Sequence, residues 1–356
     1  MRSFNCQVCG QQIYFENTQC LRCLHTLGFL PDRLDMVALE PRSDGLWAPA
    51  GEDGALYKPC RNTVDWQNCN WLIPADSEAE YCESCDLNAT IPDLSAPGNR
   101  DYWITLEKGK RRLVYSLKRL GLPIVSKKQD EKRGIAFEFL RSGVPGDNDD
   151  QVMTGHINGL ITVNVHEADD LERERIRLNL NEVYRTVLGH FRHEIGHYYW
   201  WRYVHRSSLI RKFRKLFGDE RSDYDACIAT YYQTGPLPNW QTSFVSAYAS
   251  SHPWEDWAEC FAHYLTIVDS MDTAQAFGVV LAVDRTRNLF PMEDAYHADS
   301  FDNMLEQWLP LTFAMNSINR SAGQRDLYPF VLPGPAIAKL RFVHEVIKAN
   351  ARPCAE

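Results

Sequence analysis

The sequence predicts an α+β chain in two parts: a small cysteine-rich domain over residues 1–95, then a larger, mostly helical domain with a small sheet over residues 96–356. Three observations carry this reading. Eight of the 11 cysteines fall within the first 85 residues as clusters. Short runs of β type stand at residues 135–140 and 160–165. From residue 181 onward apolar residues recur every three to four positions, the period of a helix buried on one face. With 44% hydrophobic and 24% charged residues over 356 positions, the composition is that of a folded chain.

Residues 25–30 and 35–39 read as short strands between turns. The stretch 86–100 gathers Pro, Gly, Asn and Ser and marks the domain boundary. Over 102–120, Trp103, Leu106, Leu113, Leu117 and Leu120 keep a helical period while Lys108, Lys110, Arg111, Arg112, Lys118 and Arg119 lie elsewhere. That is an amphipathic helix whose basic face is expected to be solvated, or else turned to an acidic partner. The strands at 135–140 and 160–165 form a small sheet ahead of a helix that Asn181 caps, with Val183, Tyr184, Val187, Leu188, Phe191, Ile195 and Tyr198 on its apolar side. Residues 200–240 read as mainly helical and partly basic, and His252 before Pro253 starts a helix that runs past Tyr264. A proline-broken loop at 327–335 precedes a final helix over 336–348.

Charge narrows the partners. Residues 1–95 hold 6 Lys and Arg against 14 Asp and Glu, while the remainder is close to neutral at 32 against 33. So acidic a region repels a phosphate backbone, which disfavours nucleic acid there and points towards a basic protein partner. Residues 1–6 lack the apolar stretch of an export signal, and the longest apolar run, 277–283, falls short of the roughly 18 residues a membrane span needs. The expectation is a cytoplasmic protein without membrane contact. In that setting clustered cysteines are metal thiolates rather than disulfides, and Cys227, Cys260 and Cys354 are packed or free thiols.

Cys6, Cys9, Cys20 and Cys23 form two Cys-x2-Cys pairs, the knuckle spacing that offers four sulfurs to one zinc. Cys60, Cys69, Cys82 and Cys85 contain a single such pair; a second zinc is expected there, with pairing across the two sets left open. Four thiolates leave no vacant coordination position, so both sites are folding staples for a part with little core of its own.

A different chemistry stands at His193-Glu194-Ile195-Gly196-His197. Residues four apart on a helix share a face, so both imidazoles can reach one metal while Glu194 takes the proton of a metal-bound water. The pattern arises by chance in a chain of this length on the order of one time in a hundred. A catalytic zinc takes three protein ligands, and the third is sought in residues 250–264. There Glu255, Glu259 and His263 share a stripe, with Asp256 and His252 nearby; spacing alone does not choose among them, and Glu255 also stands where a capping-box glutamate would.

HEIGHYYW followed by HPWEDWAECFAHYL, behind a cysteine-rich N-terminus, resembles the bacterial zinc-binding metallopeptidases that carry an N-terminal zinc ribbon. The stretch 255–261 is similar to the glutamate-ligand helix of gluzincins such as thermolysin and anthrax lethal factor. The resemblance implies a zincin-like fold, Glu255 as zinc ligand, Glu259 as support for a histidine, and Tyr248, seven residues before Glu255, as the tyrosine that meets the developing oxyanion. The 57 residues between His197 and Glu255 depart from thermolysin's short connection. The sequence therefore leads to a peptidase with one catalytic and two structural zinc ions and a peptide or protein substrate. Its rivals are a non-catalytic zinc-ribbon interaction module and a DNA-associated protease using the basic runs at 108–119 and 202–215.

Overall fold

The computed structural model describes residues 2–42, 44–141, 152, 154–179, 182, 183, 185–282 and 289–352. At the N-terminus β1 (Phe4–Asn5) pairs antiparallel with β2 (Gln12–Ile13). A five-stranded antiparallel sheet follows in chain order: β3 (Thr26–Leu30), β4 (Asp35–Pro41), β5 (Trp47–Pro49), β6 (Tyr57–Pro59) and, after the short helix α1 (Arg61–Trp66), β7 (Leu72–Pro74). One group of side chains, Leu30, Val37, Leu39, Tyr57 and Leu72, makes a small core of its own. Phe15 and Phe29 pack instead against Tyr115 of the next long helix, with Phe15 and Tyr115 ring centres 5.3 Å apart, and Trp71 packs on both phenylalanines.

The stretch read as a linker is only partly one. Its first residues form β8 (Asn88–Thr90), which pairs in parallel with β9 (Ala136–Leu140) because Leu87 is buried and the proline-rich run begins only at Ile91. Between them runs α2 (Asn99–Arg119). With β10 (Gly155–Ile157) and β11 (Leu160–Asn164) these strands form a sheet of order β10-β11-β9-β8, so the second set of cysteines is tied by a strand to the helical part.

Much of the basic face of α2 is turned inward, although Lys108 is exposed. Lys110, Arg111 and Arg119 are buried: Lys110 pairs with Glu107 at 2.9 Å and Arg119 with Asp272 at 3.2 Å. Arg112 meets Glu16 and Lys118 meets Glu83. Glu16 and Glu83 belong to the cysteine-rich part, so part of its acidic excess is paired with this helix, whereas Glu107 and Asp272 lie in the helical part.

After α3 (Asp170–Asn179), α4 (Val187–Tyr199) carries the His-Glu-x-x-His motif. Its N-cap is Thr186, whose Oγ1 accepts from Gly189 N–H, and not Asn181; Asn181 and Tyr184 lie outside the described residues, as does Cys354. The helix begins where a β-branched hydroxyl in extended backbone can satisfy a free amide. Next come α5 (Ile210–Phe217), α6 (Tyr224–Thr234) and the 24-residue α7 (Pro253–Ala276). The hairpin β12 (Val280–Ala282) and β13 (Leu289–Pro291) precedes α8 (Phe301–Ser321) and α9 (Gly334–Asn350). Among the described residues no helix is long and apolar enough to cross a membrane.

The packing of α4 on α7 sets the site. Gly196 makes it possible, because a Cβ there would meet Phe261 Cβ at 3.0 Å and Ala258 Cα at 3.1 Å. Trp257 Nε1 donates to the Gly196 carbonyl at 2.9 Å across the same contact. This side-chain-free approach brings the motif histidines to the first turn of α7.

Candidate metal centre

His252 caps α7, its Nδ1 accepting from Trp254 N–H at 3.1 Å, and Pro253 follows with no amide to satisfy. Glu255 then falls in the first turn, where its carboxylate faces α4 rather than closing a capping box. Its Oε2 is 2.9 Å from His193 Nε2 and its Oε1 is 3.5 Å from His197 Nε2, while the two Nε2 atoms are 3.1 Å apart. Two ligands of a tetrahedral zinc at 2.0–2.1 Å stand about 3.3 Å from each other, so the three donor atoms have the spacing such an ion needs.

One turn further along α7, Glu259 Oε1 lies 2.8 Å from His193 Nδ1 and its Oε2 accepts from Ser246 Oγ at 2.5 Å. His193 is thus held at both nitrogens. Burial lowers its basicity, but Glu255 and Glu259 more than reverse this and push its pKa well above the ordinary histidine value. Burial likewise favours the neutral form of Glu255, and the charges and hydrogen bonds of His197 and His193 drive it well below the usual carboxylate range. Two histidines beside one buried carboxylate make a place that attracts positive charge, which a divalent cation supplies as well as protons do.

The other residues considered from sequence lie elsewhere. His252 serves as the cap, Asp256 pairs with Lys339 at 2.6 Å, and His263 Nδ1 meets Tyr328 Oη at 2.6 Å. Tyr248 is brought to the site: its ring is 5.9 Å from that of His193, and burial followed by the charge of Glu255 raises its pKa well above 10. Glu194 lies on the same buried stretch of α4, and its charge reaches both Tyr224 and Tyr248.

Three neighbours were not read from the sequence. Tyr224, at the start of α6, donates its hydroxyl to Glu255 Oε1 at 3.0 Å, and Ser246 holds Glu259. Neither has a spacing signal, since each arrives on a separate connection between α4 and α7. His190 did have one: four residues before Glu194, it shares that residue's helix face.

The eight N-terminal cysteines separate into two groups that match their order in the chain. In the first, Cys6 and Cys23 sulfurs are 3.5 Å apart and those of Cys9 and Cys20 are 3.6 Å apart. In the second, Cys69 lies 3.7 Å from Cys82 and 3.8 Å from Cys85. Sulfurs around a tetrahedral zinc with bonds near 2.3 Å are about 3.8 Å apart, so both groups suit one. Backbone amides of Trp71 and Cys82 point at the sulfurs of Cys69 and Cys60, each at 3.4 Å.

A mixed helix-and-sheet domain with a two-histidine, one-glutamate cluster on facing helices, behind two four-thiolate clusters, defines a zinc-binding protein of the metallopeptidase class. The chain belongs to the family described as "Putative zinc-binding metallo-peptidase", whose model matches residues 99–346, and a zinc-ribbon domain model matches residues 3–96. It is 41% identical over 351 residues to uncharacterized proteins of Mycobacterium bovis and Mycobacterium tuberculosis, covering 98% of this chain and 95% of theirs. No solved structure matches the chain.

Proposed function

We propose that this protein is a zinc peptidase of gluzincin type that hydrolyses peptide bonds of a peptide or protein substrate. The observation that carries the reading is the spacing of 2.9–3.5 Å among His193 Nε2, His197 Nε2 and the Glu255 carboxylate. These three residues are the ligands of the catalytic zinc, and the two cysteine sets hold one structural zinc each. A zinc in this cluster supplies Lewis acidity and a water of lowered pKa. Glu194 would serve as the general base and acid, taking a proton from the attacking water and passing it to the leaving amine. Glu259 fixes the tautomer of His193 by accepting from Nδ1–H, and Tyr248 donates to the oxyanion that develops on the scissile carbonyl. Tyr224, which donates to Glu255 Oε1, keeps that carboxylate turned to the histidines.

A metal that is structural everywhere would favour an interaction module, yet the cluster has three protein donors among the described residues, the number that a catalytic zinc would take. A DNA-associated protease loses half its basis, because the basic run at 108–119 is largely buried or paired within the chain. Reduced cysteines in both thiolate sets fit a cytoplasmic location.

The test uses the full chain, because the cysteine-rich part shares a core with α2. Zinc per chain is expected to be three in the wild type and in Glu194→Gln, and two when His193 and His197 are both changed to Ala. Fluorescein-labelled casein is cleaved by the wild type and by neither variant. Equal zinc in all three proteins, or cleavage by Glu194→Gln, overturns the assignment.

A further inference from the structure

His190 stands one turn before Glu194 on the same face of α4. Its Nε2 is 3.6 Å from Glu194 Oε1, and its Nδ1 is 3.4 Å from Oε2 of Glu167, a buried residue in the single turn after β11. Arg185 Nη2 holds the other oxygen of Glu167 at 2.7 Å. Burial alone would favour a neutral Glu167, but His190 and Arg185 bring its pKa down to about 2, so the group behind the imidazole is a carboxylate.

Glu167, His190 and Glu194 also line one small, mostly apolar cavity together with Thr154, Leu106, Val163, Val187 and Phe191. Each of the three titratable residues has a buried side-chain atom without a hydrogen-bond partner: Glu167 Oε2, His190 Nδ1 and Glu194 Oε2. Two of these atoms, Glu167 Oε2 and His190 Nδ1, face each other at 3.4 Å, so the unpartnered groups are neighbours in one buried chain of side chains rather than scattered packing faults. A carboxylate that serves as a base must also present one oxygen to the reacting water, which requires something to hold the other.

We propose that His190 is a positioning residue for Glu194: backed by Glu167, it holds the Glu194 carboxylate in one rotamer on α4. The inference rests on the peptidase reading above and adds residues that the motif does not contain. His190 faces Glu194 through Nε2 and Glu167 through Nδ1, and Arg185 anchors Glu167.

Crystal structures of the zinc-loaded full chain, wild type against His190→Ala and His190→Gln, test this without depending on turnover. The wild type is expected to show the Glu194 carboxylate against His190 Nε2. In His190→Ala the Glu194 carboxylate leaves its wild-type rotamer, and in His190→Gln, which restores one donor, it returns. On fluorescein-labelled casein, His190→Ala is expected to lower kcat about 10- to 100-fold with KM within about 2-fold and zinc content unchanged, and His190→Gln to recover most of the loss. Glu167→Gln, which leaves the imidazole in place, provides the same comparison should His190→Ala fold poorly. An unmoved Glu194 in the folded variants overturns the proposal whatever kcat does. A wild type inert towards casein counts against the peptidase reading, and the crystallographic comparison still decides the positioning.

Discussion

Glu255 and Glu259 hold opposite nitrogens of one imidazole: Oε2 of Glu255 lies 2.9 Å from His193 Nε2, and Oε1 of Glu259 lies 2.8 Å from Nδ1. The nitrogen that faces His197 can share a metal with it, whereas the one that faces Glu259 points away. Glu255→Ala is therefore expected to abolish zinc binding at this centre, leaving only the thiolate-bound ions. Glu259→Ala should keep the site but weaken it about 10- to 100-fold, the usual effect of removing a carboxylate that orients a ligand imidazole. Zinc competition with a chromophoric chelator separates the two; equal losses would break the division of roles.

Which parts of this were legible in the sequence follows from how local each signal is. Cys6, Cys9, Cys20 and Cys23, and His193 with His197, lie within a few residues of their partners, so spacing alone places them. Glu255 is 58 positions from His197 and needed the resemblance to a known family to single it out from Glu259, His263, Asp256 and His252. Tyr224 and Ser246 are brought in by tertiary packing and left no periodic trace. The basic face of α2 misled for the same reason: charge on a helix reads as solvent exposure unless its buried counter-charges, here Glu107, Asp272 and the cysteine sulfurs, can be seen. Strand β8 was hidden because it precedes a run of turn-forming residues and pairs with β9 nearly 50 positions away.

Gly196→Ala tests the close approach of α4 and α7. Its added methyl group meets Cβ of Phe261 and the backbone of Ala258, neither of which can swing aside. Overpacking of this kind costs about 1–3 kcal/mol, and separating the helices moves Glu255 from the histidines. Calorimetry should show a lower Tm and chelator competition a weaker zinc site. A variant with wild-type Tm and zinc affinity would show that the two helices have room to spare.

Arg111 ties α2 to the second thiolate set. Its Nη1 donates to the Asn68 carbonyl at 2.7 Å and lies 3.7 Å from Glu107 Oε2, and Glu107 Oε2 is 4.0 Å from Cys85 Sγ. Burial works against its charge, but Cys69 and Glu107 more than compensate and raise its pKa. Arg111→Met keeps the volume and removes the cation, leaving buried negative charge without a partner, a loss of about 3–5 kcal/mol. Urea unfolding followed together with zinc release should show both midpoints shifting down. Unchanged midpoints would mean that the thiolate centre needs no counter-charge from α2.

His156 on β10 gives the chain a pH-dependent component of stability. Its Nε2 accepts from Gly159 N–H at 2.9 Å, a bond that requires the neutral ring. Burial, with smaller contributions from the charges of His197 and Lys127, lowers its pKa from 6.5 to about 3. Between those values the unfolded chain binds a proton that the folded chain refuses, so stability falls as pH falls. The contribution is complete above about pH 6.5 and is lost progressively towards pH 3, by at most about 1.4 kcal/mol per pH unit. His156→Gln retains an acceptor for Gly159 and does not titrate. Its urea midpoint should therefore drop less than that of the wild type between pH 7 and pH 5.5, where the difference is about 1 kcal/mol by the same slope. Identical pH dependence in the two proteins would mean that His156 takes up its proton in the folded state as readily as in the unfolded chain.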